Sequence, residues 1–130
     1  MRGALLALAL LLCACGGAYP GGGYAAPAYR RISASEARAI MESGEDFILL
    51  DARTEPEFAA RRIEGAALMP YSEIAARAAL ELPDKGAVIL VYCQAGRRSE
   101  LAARALVAMG YTQVFDFGGI ADWPYGTVSP

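Results

Sequence analysis

The sequence predicts one α/β domain built on a mainly parallel central sheet, with helices flanking both faces. Three observations carry this prediction. Short apolar runs alternate with capped, amphipathic segments along most of the chain. The runs are continuous, which is typical of strands buried on both faces. The chain has 130 residues, 55% of them hydrophobic, which suits one ordinary domain with a short extension.

The first predicted helix begins at a capping box. Ser33 and Glu36 have the required spacing, and the helix is expected to end near Ser43, before a glycine. The apolar run 47–50 then predicts a buried strand. Residues 51–53 would lie at the carboxyl end of that strand, where parallel sheets bind their ligands.

A second capping box, formed by Thr54 and Glu57, predicts a short helix through about Arg61. A brief strand is predicted at 66–69. The segment 72–82 has its apolar residues at helical spacing and predicts the next helix.

The most apolar strand is predicted at 87–92, after a turn at 83–86, and we expect it to be central in the sheet. A helix is predicted at 98–109 and ends at a glycine. The last strand is predicted at 113–117. Gly118-Gly119 is expected to open a final loop.

The amino-terminal residues 1–15 are predicted to be a signal peptide. The Ala- and Leu-rich run 4–12 is shorter than the ~20 residues that span a bilayer, but it has the length of a signal-peptide core. The following LCACGG resembles a bacterial lipobox, with Cys15 as the lipidated residue. The alternative is an ordinary secretory signal cut after Ala18. Either cleavage predicts an exported protein of the bacterial cell envelope or periplasm.

Residues 16–29 are rich in Gly, Ala, Pro and Tyr and show no apolar period. This composition predicts a flexible tether, with the folded domain at 30–130. Membrane contact is expected only through a lipid anchor at Cys15.

Composition excludes several function classes. The chain has no histidine, which removes Ser/His/Asp and Cys/His catalysis. Three cysteines alone make a zinc site unexpected, and no metal or cofactor is predicted. A net charge of −2 with dispersed arginines argues against nucleic-acid binding. A lone domain of this size is expected to be a monomer.

Cys93 is the candidate nucleophile, because it ends the predicted central strand about five residues before a helix. A tight loop there would point backbone N–H groups inward, and the helix amino end adds partial positive charge. Such settings lower a cysteine pKa from about 8.5 to roughly 3.5–7.5. Gly96 would allow the loop to turn or pass close to its neighbours. Arg97 and Arg98 would place cations at the rim, suited to an anionic substrate.

Three segments together resemble the rhodanese family of sulfurtransferases. The run CQAGRRS, residues 93–99, is similar to the active-site loop C-x-x-G-x-R-[SA] of that family. Residues 49–70 are similar to its first motif, and residues 110–123 to its closing Gly-Gly and Trp segment. Many members have Gly-His before the Ile-x-Gly-Ala element, where this chain has Arg61-Arg62.

The resemblance implies two-step sulfur transfer. Cys93 would attack the outer sulfur of a small anionic donor such as thiosulfate, and its persulfide would pass sulfur to a thiol or cyanide acceptor. Loop N–H groups would stabilise charge on sulfur, while Arg98 and Arg97 would attract the donor. Asp51 and Arg53 would hold the adjacent loop by ion pairing. The persulfide-stabilising loop comprises Gln94, Ala95, Gly96, Arg97, Arg98 and Ser99.

Three other functions would place different demands on this sequence. Cysteine phosphatases and arsenate reductases use C-x5-R, but here the arginine is one position too early for that wider loop. A thiol–disulfide oxidoreductase would need a resolving cysteine where Gly96 stands. A sulfur carrier or partner-binding module on the same fold stays open, because its Cys93 would also be loaded with sulfur.

Overall fold

The structure is a computed structural model that describes residues 28–130. The predicted signal peptide, with Cys15, and the predicted tether up to residue 27 lie outside the described residues. Within the described part, no helix is both long and apolar enough to cross a membrane.

Five strands and four α-helices make up the described chain. The strands are β1 (Arg30–Arg31), β2 (Ile48–Asp51), β3 (Ala67–Leu68), β4 (Val88–Cys93) and β5 (Gln113–Gly119). The helices are α1 (Ala34–Glu42), α2 (Glu55–Ala60), α3 (Ile74–Glu81) and α4 (Arg97–Ala108). Two short 3-10 turns cover Tyr71–Glu73 and Ile120–Asp122.

All paired strands of the sheet run parallel, in the order β1-β5-β4-β2-β3. The prediction of a parallel sheet with 87–92 at its centre is confirmed, since β4 is the third of five strands. Because the strands are parallel, their carboxyl ends meet at one edge. Asp51, Cys93 and Gly119 end their strands at that edge.

Helices cover both faces of the sheet, as predicted. On one face, Ile89, Val91 and Cys93 of β4 pack with buried residues of α3 and α4. On the other face, Leu90 and Tyr92 pack with Ala37 of α1 and with aromatic residues near the carboxyl terminus. The side chains of successive β4 residues therefore pack into the two cores on opposite faces of the sheet, which explains why this strand is apolar without interruption.

Several elements begin or end at other residues than the sequence predicts, and one strand was missed. β1 was not predicted, because two arginines carry no apolar strand pattern. β5 continues through Gly118-Gly119. These residues were predicted to form a loop because glycine is uncommon in strands. The segment 71–73 forms a 3-10 turn before α3. α4 begins at Arg97, one residue earlier than expected.

Candidate active site

Cys93 closes the central strand and is 1% exposed. Only three residues separate it from α4, so the chain must turn sharply. Gly96 makes that turn with a φ of 105°, a left-handed conformation that a side chain would strain. The turn brings the Gly96 N–H within 3.0 Å of the Cys93 sulfur, to which it donates.

The pKa of Cys93 is lowered from its ordinary value. Burial opposes this by raising the pKa, but hydrogen bonds to the sulfur outweigh it. They come from the Ser99 hydroxyl and from the backbone N–H groups of Ser99, Gly96 and Ala95. These donors favour the thiolate, so the loop activates the thiol without a base.

Ser99 is fully buried beside the thiol. Its Oγ lies 3.5 Å from the Cys93 sulfur, 3.1 Å from the Gly96 carbonyl oxygen and 3.3 Å from the Gly118 carbonyl oxygen. A hydroxyl has one proton to donate. In the structure the Cys93 thiol donates to Ser99 Oγ, whose own proton can reach the Gly96 or the Gly118 carbonyl oxygen. When Cys93 is a thiolate, its sulfur becomes a third acceptor for the Ser99 proton, so the position of that proton affects the stability of the thiolate.

Asp51 and Arg53 form a buried ion pair at the carboxyl end of β2. Arg53 Nη2 donates to Asp51 Oδ2 over 2.7 Å, and Arg53 Nη2 also donates to the Arg61 carbonyl oxygen. Tyr92 donates its hydroxyl proton to Asp51 Oδ2 over 2.7 Å and accepts the Ile63 N–H. Burial raises the Tyr92 pKa, so its hydroxyl stays protonated as the donor. The pair thus holds the chain around Arg61.

Arg98 points to α2 rather than standing free. Its Nη1 and Nη2 donate to the two carboxylate oxygens of Glu57, over 2.7 and 2.9 Å. The Thr54 N–H and hydroxyl also donate to Glu57 Oε1. Arg98, with these Thr54 bonds, lowers the Glu57 pKa to about 2 against burial that raises it. One carboxylate therefore caps α2 and anchors the first turn of α4.

Two other arginines border the loop and are more exposed. The Arg97 side chain is 75% exposed and lies 3.5 Å from a Glu100 oxygen. The Arg31 side chain, from β1, is 59% exposed and pairs with the buried Asp116 carboxylate at 3.1 Å. Arg97 is therefore the loop cation that is least engaged by a carboxylate.

The last residue of β5, Gly119, lies in close contact with the Cys93 loop. A Cβ built on Gly119 would lie 2.2 Å from the Gln94 carbonyl oxygen and 2.8 Å from the Ala95 Cα. The residue here must be glycine, because both obstructing atoms belong to the backbone. The close approach holds the loop against the end of β5.

Of the predicted loop residues, Ala95, Gly96 and Ser99 form hydrogen bonds with the Cys93 sulfur. The Arg97 and Arg98 side chains pair instead with Glu100 and Glu57. Asp51 and Arg53 lie at the next strand end and pair with each other, as expected. The sequence did not indicate Tyr92, Arg31 or Asp116, and it assigned Glu57 only a capping role. Their partners are 41 to 85 residues away, so no local signal could have found them.

Residues 28–130 contain no group of three acidic, cysteine or histidine side chains placed to hold a metal. A surface cleft of about 390 Å³ lies at the opposite end of the sheet, lined by residues 45–48, 84, 86–88 and 113. It contains no nucleophilic thiol. The site is therefore assigned by the chemistry at Cys93 and not by cavity volume.

Comparisons with known proteins agree with this geometry. Residues 33–124 match the model of the rhodanese-like domain family. The chain is 38% identical over 73 residues to thiosulfate sulfurtransferase PspE of Escherichia coli K12, covering 56% of this chain and 70% of that protein. It is 35% identical over 98 residues to thiosulfate sulfurtransferase GlpE of Pseudomonas fluorescens, covering 73% of this chain and 84% of that protein.

The fold is similar to that of a solved rhodanese with anions from E. coli. The two share a TM-score of 0.61 and 34% sequence identity, over 65% of this chain and 100% of the other.

Proposed function

This chain belongs to the rhodanese-like domain family, and from that premise we propose that it transfers sulfane sulfur from a donor such as thiosulfate through a persulfide on Cys93. Sulfur transfer of the rhodanese type is the activity for which its relatives are named. The observation that carries the persulfide proposal is the Cys93 sulfur itself. It is the only thiol among the described residues, and it faces a loop N–H at 3.0 Å.

In the proposed first step, the Cys93 thiolate attacks the outer sulfur of thiosulfate. A bond forms between the two sulfur atoms, the S–S bond of thiosulfate breaks, and its electron pair leaves with sulfite. The outer sulfur then extends into the loop, where the N–H groups from Gln94 to Ser99 stabilise its negative charge. No proton acceptor is needed, which suits a chain without histidine.

In the second step, an acceptor nucleophile attacks the outer sulfur of the persulfide. Cyanide would leave as thiocyanate, or a thiol as a new persulfide, and the Cys93 thiolate is restored as the leaving group. The same N–H groups that lower the Cys93 pKa make it a good leaving group.

Arg97 and Arg98 have different proposed roles in donor capture. Arg97 is exposed and attracts the anion. Arg98 also places a positive charge near the sulfur. Because its Nη1 and Nη2 both donate to the Glu57 carboxylate, its main role is to hold the amino end of α4. Asp51 and Arg53 support the neighbouring loop and take no part in bond making.

Intact mass spectrometry of the chain from Gly16 onward tests the persulfide directly. Incubation with thiosulfate should add one sulfur atom, and cyanide should remove it with release of thiocyanate. Cys93→Ser is the control and should gain nothing while remaining folded by circular dichroism. A wild-type protein that gains no sulfur would refute thiosulfate as the donor.

The number of thiocyanate molecules formed per Cys93 distinguishes an enzyme from a sulfur-carrier protein. Repeated thiocyanate formation per Cys93 supports the enzyme. Loading of one sulfur with no turnover on small acceptors would instead support a module that delivers its persulfide to a partner protein.

We further propose that the protein is exported and anchored to a bacterial envelope membrane through a lipid on Cys15. The support is the apolar run 4–12 followed by a lipobox-like LCACGG. These residues lie outside the described part of the chain. The same sequence leaves the soluble secreted form as the competing outcome of any fractionation test.

A further inference from the structure

Arg31 and Asp116 form a cross-strand pair beside the active-site loop. They face each other in register on β1 and β5, and Arg31 Nη2 lies 3.1 Å from Asp116 Oδ2. Asp116 is fully buried. It is in register with Val91, whose side chain lies in the same core cluster as Cys93. The pair therefore lies on the sheet face that carries the thiol.

Both members of the pair reach the loop. Arg31 Nη2 also lies 3.5 Å from the Gly96 carbonyl oxygen, at the limit of a hydrogen bond. Asp116 Oδ1 accepts the Gly118 N–H over 2.9 Å. Gly96 and Gly118 supply the two carbonyl oxygens that compete with the Cys93 sulfur for the Ser99 proton. The ion pair thus contacts one competing carbonyl directly, at Gly96, and the backbone N–H of the residue that carries the other, Gly118.

We propose that Arg31 is a positioning residue for sulfur transfer, which with Asp116 leaves the Ser99 proton available to the Cys93 thiolate. Arg31 donates to the Gly96 carbonyl, which reduces the demand of that carbonyl for the Ser99 hydroxyl. Asp116 accepts the Gly118 N–H and so holds the backbone on the amino side of the Gly118 carbonyl. Neither residue contacts the sulfur.

The charges around the loop also indicate that Arg31 favours the thiolate form of Cys93. The charged groups that border the loop come from every element around it: Arg31, Asp51, Arg53, Glu57, Arg97, Arg98, Glu100 and Asp116. Each carboxylate among them is paired with an arginine. Removing Arg31 would leave the buried Asp116 uncompensated on the thiol's side of the sheet. A buried negative charge disfavours a second one nearby.

The inference rests on the proposed role of Cys93 as nucleophile but can be tested without any sulfur donor. Iodoacetamide alkylation of the full chain is followed from pH 5 to 10 by mass spectrometry of the tryptic peptide that contains Cys93, residues 86–97. The midpoint of the rate profile reports the thiol pKa. Arg31→Ala should raise that midpoint by about 0.5–1 unit, the scale of one weakened hydrogen bond and one lost charge.

Two further variants make the result specific. Arg31→Lys keeps the charge without the forked donor, and it should recover part of the shift. Arg30→Ala removes the same charge from the neighbouring position of β1, in register with Phe115 on the opposite face. It should leave the midpoint at the wild-type value.

A purely structural role would behave differently. Partial unfolding would also move the alkylation midpoint upward, toward the ~8.5 of a free thiol, but it would lower the thermal midpoint at the same time. The proposal therefore requires the shift in an Arg31→Ala protein whose thermal midpoint equals that of wild type, and a shift that appears only together with a lowered thermal midpoint would overturn it. In sulfur transfer, Arg31→Ala should lower kcat/KM below the new pKa and approach the wild-type value at high pH. An unchanged alkylation profile, or an equal shift in Arg30→Ala, would overturn the proposal. Failure of thiosulfate to load Cys93 would refute the donor assignment and leave this result standing.

Discussion

At the scale of single residues, the state of Cys93 depends on a few hydrogen bonds. The thiol is buried, and burial alone would keep it protonated. The N–H of Gly96 and the hydroxyl of Ser99 reverse that tendency. Because backbone donors cannot be removed by mutation, Ser99 is the donor through which the nucleophile can be tested.

Ser99→Ala should raise the Cys93 pKa by about one unit, because a hydrogen bond to the charged sulfur is lost. Below the pKa, the alkylation rate of Cys93 should fall roughly tenfold, in proportion to the thiolate fraction. The measurement is the pH profile of iodoacetamide alkylation. Ser72→Ala, the same change at an exposed position in the 3-10 turn, is the matched control. A profile equal to that of wild type would show that Ser99 donates to the carbonyls and not to sulfur.

The sequence indicated Cys93 and its loop because strand, glycine and helix start lie within a few residues of one another. It could not indicate Tyr92 as the donor to Asp51, because that bond joins residues 41 positions apart. The same applies to Arg31 and Asp116, which are 85 positions apart. Such pairs depend on strand order, which periodicity does not determine.

At the scale of elements, the loop is held between α4 and the end of β5. Gly119 contributes by having no side chain, since the Gln94 carbonyl occupies the position of its Cβ. Gly119 is paired with Cys93 in the sheet, and the Gln94 carbonyl oxygen accepts the Ala121 N–H over 3.3 Å, so both backbones have little freedom to move. The loop geometry should therefore be sensitive to this one position.

Gly119→Ala should destabilise the protein by ~1–3 kcal/mol through overpacking and should displace the Cys93 loop. We expect a lower denaturation midpoint in urea and a reduced rate of sulfur transfer. Gly86→Ala is the control, because its Cβ would meet only the flexible Asp84 carboxylate, at 3.3 Å. Wild-type activity in Gly119→Ala would mean that the loop tolerates the displacement.

Elements with local signals were predicted well. Ser33 caps α1 as its spacing indicated, with its hydroxyl accepting the Glu36 N–H at 3.1 Å. The apolar run of β4 was equally clear. The two glycines that end β5 were assigned to a loop, because glycine has low strand propensity. Pairing with β4 keeps them in the sheet, and that pairing is a tertiary effect.

At the scale of the whole molecule, the Glu57–Arg98 pair ties α2 to α4 across the carboxyl edge of the sheet. The Glu57 pKa is lowered to about 2 by Arg98. A carboxylate with a depressed pKa stabilises the folded state above its unfolded pKa of about 4.3, and that stability is lost as the pH falls toward 2. The pair should therefore stabilise the fold at neutral pH, and losing it should contribute to the loss of stability in acid.

Glu57→Gln should cost about 1–2 kcal/mol at pH 7, after discounting for the partial exposure of both side chains. The cost should shrink as the pH falls from about 4.5 to 2, because the wild-type carboxylate becomes neutral as well. Urea unfolding at a series of pH values gives the difference in free energy. Glu64→Gln, an exposed carboxylate elsewhere on the surface, is the control. A difference that does not change with pH would show that the pair stabilises by packing alone.

The direction of β1 decides how an anchored protein would present its site. β1 runs parallel to β5, and Ala28 lies beside Thr112 and Gln113 at the amino end of that strand. The chain therefore enters the fold about 20 Å from the edge that carries Cys93, given ~3.3 Å per strand residue. Between Cys15 and Ala28 it can span at most about 45 Å. An anchor at Cys15 would thus attach to the end of the sheet opposite the reactive sulfur.

Cys15→Ser should therefore release the protein from the membrane fraction without changing its rate of sulfur transfer per molecule. The first effect follows if Cys15 carries the lipid, and the second because the attachment is remote from the loop. Fractionation followed by thiocyanate assays on both fractions measures the two effects together, with Cys13→Ser as the matched control. Continued membrane association of Cys15→Ser would place the anchor elsewhere. A changed rate in the released protein would instead mean that the attached end of the sheet influences the Cys93 loop. The connection would then be β1, which contacts the loop through the hydrogen bond from Arg31 to the Gly96 carbonyl.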